Sequence, residues 1–130
     1  MGALHARTLA KVPEIELVAV VDARLEAVRN VAEDTGAEAM ASLSALMARS
    51  DVEAWLVATP TPTHPKMVDM ALDAGVHVLC EKPLSLESGD GKRLGAQADA
   101  AGFCLWSIRV LQVGFWRRFS PPWGQGQGVD

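Results

Sequence analysis

Short apolar runs alternate with longer amphipathic stretches along this chain, and the alternation predicts the elements one by one. Leu4 and Leu9 are apolar while Arg7 and Lys11 are charged, which predicts a helix from Gly2 to about Val12. Pro13 stops it, because a proline ring cannot continue the hydrogen-bond ladder. Residues 15–21 are apolar apart from Glu16 and rich in β-branched side chains, the pattern of a strand covered on both faces. A second helix is predicted over 24–35, closed by Gly36. A short strand at 38–41 follows, then a helix from an N-cap at Ser42 to about Arg49. The same alternation gives strand 54–58, helix 63–74 closed by Gly75, strand 76–80, helix 85–101 closed by Gly102, and an apolar stretch 103–115. Gly89, Gly91 and Gly95 weaken the helix at 85–101, each by about 1 kcal/mol against alanine. Strands and helices in this rhythm predict βαβ units and a parallel sheet, an α/β fold.

Two strands end in the same way. Trp55-Leu-Val-Ala-Thr59-Pro60 breaks into Thr-Pro-Thr-His64, and Val76-His-Val-Leu-Cys80 breaks into Glu81-Lys82-Pro83. Ligands of parallel α/β sheets bind at the carboxyl ends of strands. Two polar, proline-fixed turns at such ends are two walls of one site. Proline is also the residue that admits a cis bond, and Pro83 fixes the second turn. A third candidate pair is Gly2, which opens a helix, and Asp22, which closes the following strand. These match the back half of a dinucleotide fingerprint, in which a glycine permits close helix packing and an acid accepts from the adenosine ribose. A helix-start glycine and an ordinary turn aspartate fit the pair as well.

Composition narrows the function classes. The 130 residues are 49% hydrophobic and 22% charged, which suits one globular domain. A net charge of −4, with no basic cluster beyond adjacent pairs such as Arg117-Arg118, gives no reason to expect nucleic acid. Cys80 and Cys104 are too few and too far apart for a zinc knuckle or a disulfide scaffold, so no metal is expected and a reducing cytoplasm is the expected compartment. No apolar run approaches the roughly 18 residues of a membrane span, and His5, Arg7 and Lys11 do not suit a secretory signal. The glycine-rich tail from Gly124 to Asp130 reads as disordered.

The segments Gly2-Ala-Leu-His-Ala-Arg-Thr-Leu-Ala, Glu16-Leu-Val-Ala-Val-Val-Asp22, Ala58-Thr-Pro-Thr-Pro-Thr-His64, His77-Val-Leu-Cys-Glu-Lys-Pro83 and Gln112-Val-Gly-Phe-Trp-Arg-Arg-Phe119 together resemble the Gfo/Idh/MocA oxidoreductases, with inositol 2-dehydrogenases the nearest likeness. The Glu-Lys-Pro turn is the most specific of these marks. The resemblance implies a Rossmann-type doubly wound parallel sheet over residues 1–119, with 120–130 a tail or the start of a second domain. It implies oxidation of a secondary alcohol on a cyclic polyol or sugar, with NAD as cofactor and NADP less suited. Asp22 would hold the adenosine ribose and repel a 2′-phosphate, with Arg24 tempering that preference. Gly2 would be the third glycine of the fingerprint. Thr59, Pro60 and His64 would line the dinucleotide crevice, although His64 at a helix start is equally a capping residue.

Glu81 would reach the nicotinamide-side ribose, and Lys82 would serve both cofactor and substrate. An ammonium beside a cationic nicotinamide has its charged form disfavoured, so it helps to move the hydroxyl proton. The plain alternative is a surface lysine on a turn. Arg117 would sit near the substrate hydroxyls. Members of the family are expected to form homo-oligomers.

Three departures from the family pattern stand out. The first strand and its phosphate loop are absent, residues 103–110 form a longer lead into the Gln-Val-Gly-Phe segment, and the second domain with its Asp-x-x-x-His pair is absent. These predict a Rossmann sheet lacking its first strand, a fragment without activity of its own. The rival expectation is a non-catalytic remnant that binds a nucleotide or only associates with relatives. Strands 15–21 and 54–58, flanking the missing one, either close up and pair directly or leave the gap open.

Overall fold

A computed structural model describes residues 1–107; Arg109, Trp116, Arg117, Phe119 and Trp123 lie outside the described residues. The elements run α1 (Gly2–Leu9), β1 (Ala19–Val21), α2 (Leu25–Thr35), β2 (Glu38–Met40), α3 (Leu43–Met47), β3 (Ala54–Val57), a single 3-10 turn (Thr61–Thr63), α4 (His64–Asp73), β4 (His77–Cys80), α5 (Asp90–Ala101) and β5 (Leu105–Ser107).

All strand pairings are parallel, but they form two sheets rather than one: β1 with β2, and β3-β4-β5. A Rossmann sheet is ordered 3-2-1-4-5-6. The two sheets are the two sides of that order, and no described strand occupies its centre. Of the two outcomes expected for the flanking strands, the open one is found: β1 and β3 do not pair. Each sheet has its own apolar core. Ala6, Val20, Val28, Val31, Ala32 and Ala37 form the smaller one, around α1, α2 and β1. The larger one gathers Trp55, Val57, Val68, Ala71, Leu72, Val76, Val78, Cys80, Leu94 and Ala98 from β3, α4, β4 and α5.

Helical spacing accounts for both cores. On α2, Val28, Val31 and Ala32 are buried at i, i+3 and i+4, and on α4 Val68, Ala71 and Leu72 repeat that spacing. Leu94 and Ala98 do the same on α5 at i and i+4. Fully buried side chains such as Leu94, Val68 and Val78 each contribute about 1.5–3 kcal/mol relative to exposure. Gly36 and Gly102 close α2 and α5 with φ of 76° and 74°, a left-handed conformation that costs a side chain far more than a glycine.

Three boundaries differ from the sequence expectation by three residues or more. Helix α1 stops at Leu9 because Lys11 and Val12 donate to the carbonyls of Thr8 and Leu9, a tightened i to i+3 turn. Strand β1 is paired only over Ala19–Val21, and Ile15 is exposed. Helix α5 starts at Asp90 rather than Ser85. The Ser85 hydroxyl donates to Asp90 and accepts the Glu87 N–H, so a side-chain turn replaces the first helical turn.

Candidate functional site

Each described candidate residue stands at the end of a strand or the start of a helix. The first wall follows β3. There the Thr63 hydroxyl lies 2.7 Å from both Thr59 Oγ1 and the Pro60 carbonyl, and the Thr63 N–H donates to Pro60 at 2.9 Å. These bonds wind Thr59–Thr63 into the 3-10 turn that leads into α4. Thr59 and Pro60 remain exposed on its outside.

The second wall follows β4. The Glu81 N–H donates to the Val57 carbonyl at 2.8 Å, which carries the β3–β4 ladder one residue past Cys80. The chain then turns at Lys82, and the Lys82–Pro83 bond is cis. Lys82 is exposed.

His64 joins the two walls. It is 1% exposed, and its ring nitrogens face two backbone carbonyls: Nε2 lies 2.7 Å from Thr59 O and Nδ1 lies 2.8 Å from Pro83 O. A single buried ring therefore sets the separation of both turns. A shallow cavity of about 210 Å³ opens beside this clamp, lined by Thr61, Pro62, Pro65, Ser85, Leu86, Glu87 and Asp90.

The third group comes from the smaller sheet. Asp22 follows β1, its N–H donating to the Met40 carbonyl and its Oδ1 accepting the Arg24 N–H at 2.9 Å. That local turn fixes the carboxylate while leaving its side chain 41% exposed. The Arg24 guanidinium lies 3.7 Å away and is largely in solvent. A half-exposed carboxylate at a strand end, with lone pairs to spare, fits the paired hydroxyls of a ribose. Gly2 opens α1 against the end of β3, where a Cβ on it would meet the Ala58 Cβ at 3.7 Å, an ordinary contact distance.

The structure thus brings Thr59, His64 and the Lys82–Pro83 turn together, and brings Gly2 close to Ala58 on the same edge. Asp22 and Arg24 stand on the other sheet. One contact was not anticipated. His5 Nε2 lies 2.6 Å from Glu81 Oε1, across 76 residues of sequence, and Glu81 Oε2 accepts the Lys82 N–H at 3.1 Å. His5, acting first, then the Lys82 N–H and the charges of both residues hold the Glu81 carboxyl below the usual carboxylate range, against a smaller desolvation effect. The one sequence signal was position: His5 follows Gly2 by one helical turn. Next to Glu81, burial and the neighbouring carboxylate push the Cys80 thiol up to about 12, so this cysteine is core material rather than a nucleophile.

The sequence pattern of the GFO_IDH_MocA oxidoreductase family, NAD-binding Rossmann fold, matches residues 1–108. Inositol 2-dehydrogenase of Rubrobacter xylanophilus is 38% identical over 122 residues, which cover 93% of this chain and 34% of that protein. Among solved structures, GenD2 from gentamicin A biosynthesis, in complex with NAD, superposes with a TM-score of 0.80 at 34% identity, covering 82% of this chain and 31% of its own. KijD10, a 3-ketoreductase from Actinomadura kijaniata in complex with NADP and TDP-benzene, gives 0.74 at 36% identity, covering 81% and 32%. The chain spans about a third of the length of the relatives it matches. No helix among the described residues is long and apolar enough to cross a membrane. By the match over residues 1–108, the chain belongs to the Gfo/Idh/MocA oxidoreductase family and carries its NAD-binding Rossmann fold.

Proposed function

We propose that these residues form the dinucleotide side of an NAD-dependent dehydrogenase that oxidises a secondary alcohol of a cyclic polyol or sugar, in the manner of an inositol 2-dehydrogenase. The observation that carries this reading is the clamp at His64, which sets a Thr-Pro turn and a Glu-Lys-Pro turn side by side at the ends of neighbouring strands. NAD, when bound, supplies the hydride acceptor. Asp22 binds the adenosine ribose and disfavours a 2′-phosphate by like charge, with Arg24 tempering the preference. Thr59 and Pro60 form one side of the crevice. With Lys82 unprotonated, its Nζ would take the proton of the substrate hydroxyl as the carbinol carbon is oxidised, and hand it to water. Arg117 is assigned to the substrate hydroxyls by resemblance alone.

Residues 1–130 alone are proposed to bind NAD weakly or not at all and not to turn over. Unpaired backbone groups on the facing edges of β1 and β3 cost about 1–3 kcal/mol each wherever they are kept from water. These open edges equally favour the second reading, a non-catalytic chain that binds a nucleotide or associates with relatives.

A chimera tests the enzyme reading: residues 2–107 replace the matching segment of the Rubrobacter xylanophilus protein. It is expected to oxidise inositol with NAD in preference to NADP, with Asp22→Ala narrowing the gap. Lys82→Ala is expected to lower kcat by about a hundredfold or more, with cofactor affinity changing less. An active chimera that prefers NADP removes the role given to Asp22. Near-normal turnover without the Lys82 amine returns Lys82 to a surface residue.

A further inference from the structure

We propose that His5 is a positioning residue for the Glu81–Lys82 turn, joining the first helix to the end of β4 and fixing the course on which the chain leaves that strand. The inference deepens the dinucleotide reading and rests on it for the use to which Lys82 is put. Its structural part stands on the His5–Glu81–Lys82 contacts.

The backbone comes first. The Glu81 N–H closes the last rung of the β3–β4 ladder at Val57, and the next donor in line, the Lys82 N–H, is taken by the Glu81 side chain. The Glu81 carboxylate therefore caps its own strand, and its rotamer decides whether the Lys82 amide is satisfied. Oε2 serves that amide, while Oε1 is held by His5 at 2.6 Å. Two anchored oxygens leave the carboxylate no free rotation.

The anchor comes from elsewhere in the fold. His5 lies on α1, whose Ala6 is buried with Val20, Val28 and Val31 in the smaller core, whereas β4 belongs to the larger one. The Gly2 approach to Ala58 brings the same first turn of α1 to the end of β3. The first turn of one half thus grips the strand ends of the other, at the edge where the candidate site lies.

The charged groups acting on Glu81 are His5 and Lys82, and both favour its carboxylate form. The other basic residue on α1, Arg7, is turned toward Asp34 on α2, the helix packed against it. Side-chain exposures of 23% for His5 and 12% for Glu81 keep the pair only partly screened by water. An imidazole donates from Nε2 to a carboxylate whether neutral in that tautomer or protonated, so the grip persists near neutral pH and fails when Glu81 itself is protonated.

The test uses the full 130-residue chain and follows the Glu81 side-chain carboxyl and the Lys82 amide by NMR during a pH titration. In the unaltered chain, Glu81 is expected to titrate below the ordinary glutamate value of 4.5. In His5→Ala it is expected to move up toward that value, and the Lys82 amide resonance is expected to shift with it. His5→Gln keeps a side-chain N–H donor without the ring charge, and is expected to hold the Lys82 amide near its original position while returning only part of the carboxyl displacement. A Glu81 that titrates at or above 4.5 in the unaltered chain overturns the proposal, and this arm needs no variant to fold. So does a His5→Ala chain in which neither signal moves. The dinucleotide reading is judged separately, by the turnover and cofactor preference of the chimera, and the carboxyl titration decides the role of His5 whichever way that falls.

Discussion

His64→Phe is the sharpest perturbation of the candidate site, because it keeps an aromatic ring of similar size and removes both polar contacts. The ring is 1% exposed, and the carbonyls of Thr59 and Pro83 that face it lose their imidazole partner. A buried acceptor left without a partner costs about 1–3 kcal/mol. A neutral imidazole has one N–H to give and a protonated one has two, so the loss is about 1–3 kcal/mol for one donated bond and about 2–6 kcal/mol for two. Against the roughly 5–15 kcal/mol of an ordinary domain this is a large fraction. Apolar gain is small, because the native ring is already out of water. Urea unfolding followed by far-UV circular dichroism measures it: the midpoint should fall, with the slope against urea unchanged. An unfolding free energy within about 0.5 kcal/mol of the parent, the range of an ordinary surface substitution, would refute the claim that this ring holds the two turns. His64→Asn is the companion variant, since it keeps one donor in a shorter side chain and should fall between the two.

Other outcomes follow from the same packing and charges. Leu94 is fully buried between α5 and the larger core, so Leu94→Ala should cost about 2–5 kcal/mol in urea unfolding, whereas truncation of the exposed Leu4 should change little. Of the two cysteines, exposed Cys104 should react rapidly with a thiol reagent at pH 8, while buried Cys80, its thiol pushed up to about 12, should react only on unfolding. Glu81 is depressed below its ordinary value of 4.5, so its contribution to stability is present above that value and is lost as pH falls through the lower folded one. Accordingly, Glu81→Gln should destabilise the chain near neutral pH, and the difference from the parent should shrink in acid. A constant difference across the titration would show that the charge is not what matters.

Much of this architecture was legible because local rules and the final packing agree. The apolar spacing of α2 and α4, the closing glycines Gly36 and Gly102, and the Ser42 cap, whose hydroxyl accepts the Ala45 N–H at 3.2 Å, are each decided within a few residues. The misplaced start of α5 has a local cause too, the Ser85 turn to Asp90, which a helical pattern does not reveal. What sequence reasoning missed depends on distance along the chain. Nothing near His5 announces a carboxylate 76 residues away, and nothing in Thr-Pro-Thr-His shows that the histidine faces inward to hold Pro83. The residue types at the site were readable from their motifs, but the partner of each side chain is set by how α1, β3 and β4 meet. Only the fold supplies that.

The division into two apolar cores has a further consequence, for amide hydrogen exchange. Protection follows cooperative units rather than single bonds, and each unit opens with its own free energy. Amides of β3, β4, α4 and α5 share the larger core, so they should exchange slowly and together, while those of β1, β2 and α2 should form a second, faster class. A dinucleotide that reached both Asp22 on the smaller sheet and Lys82 on the larger would have to tie those units into one. It would meet part of its affinity as the entropy of ordering them. Binding should then appear first as the merging of the two exchange classes, with slowing at amides of α2 that no bound nucleotide touches.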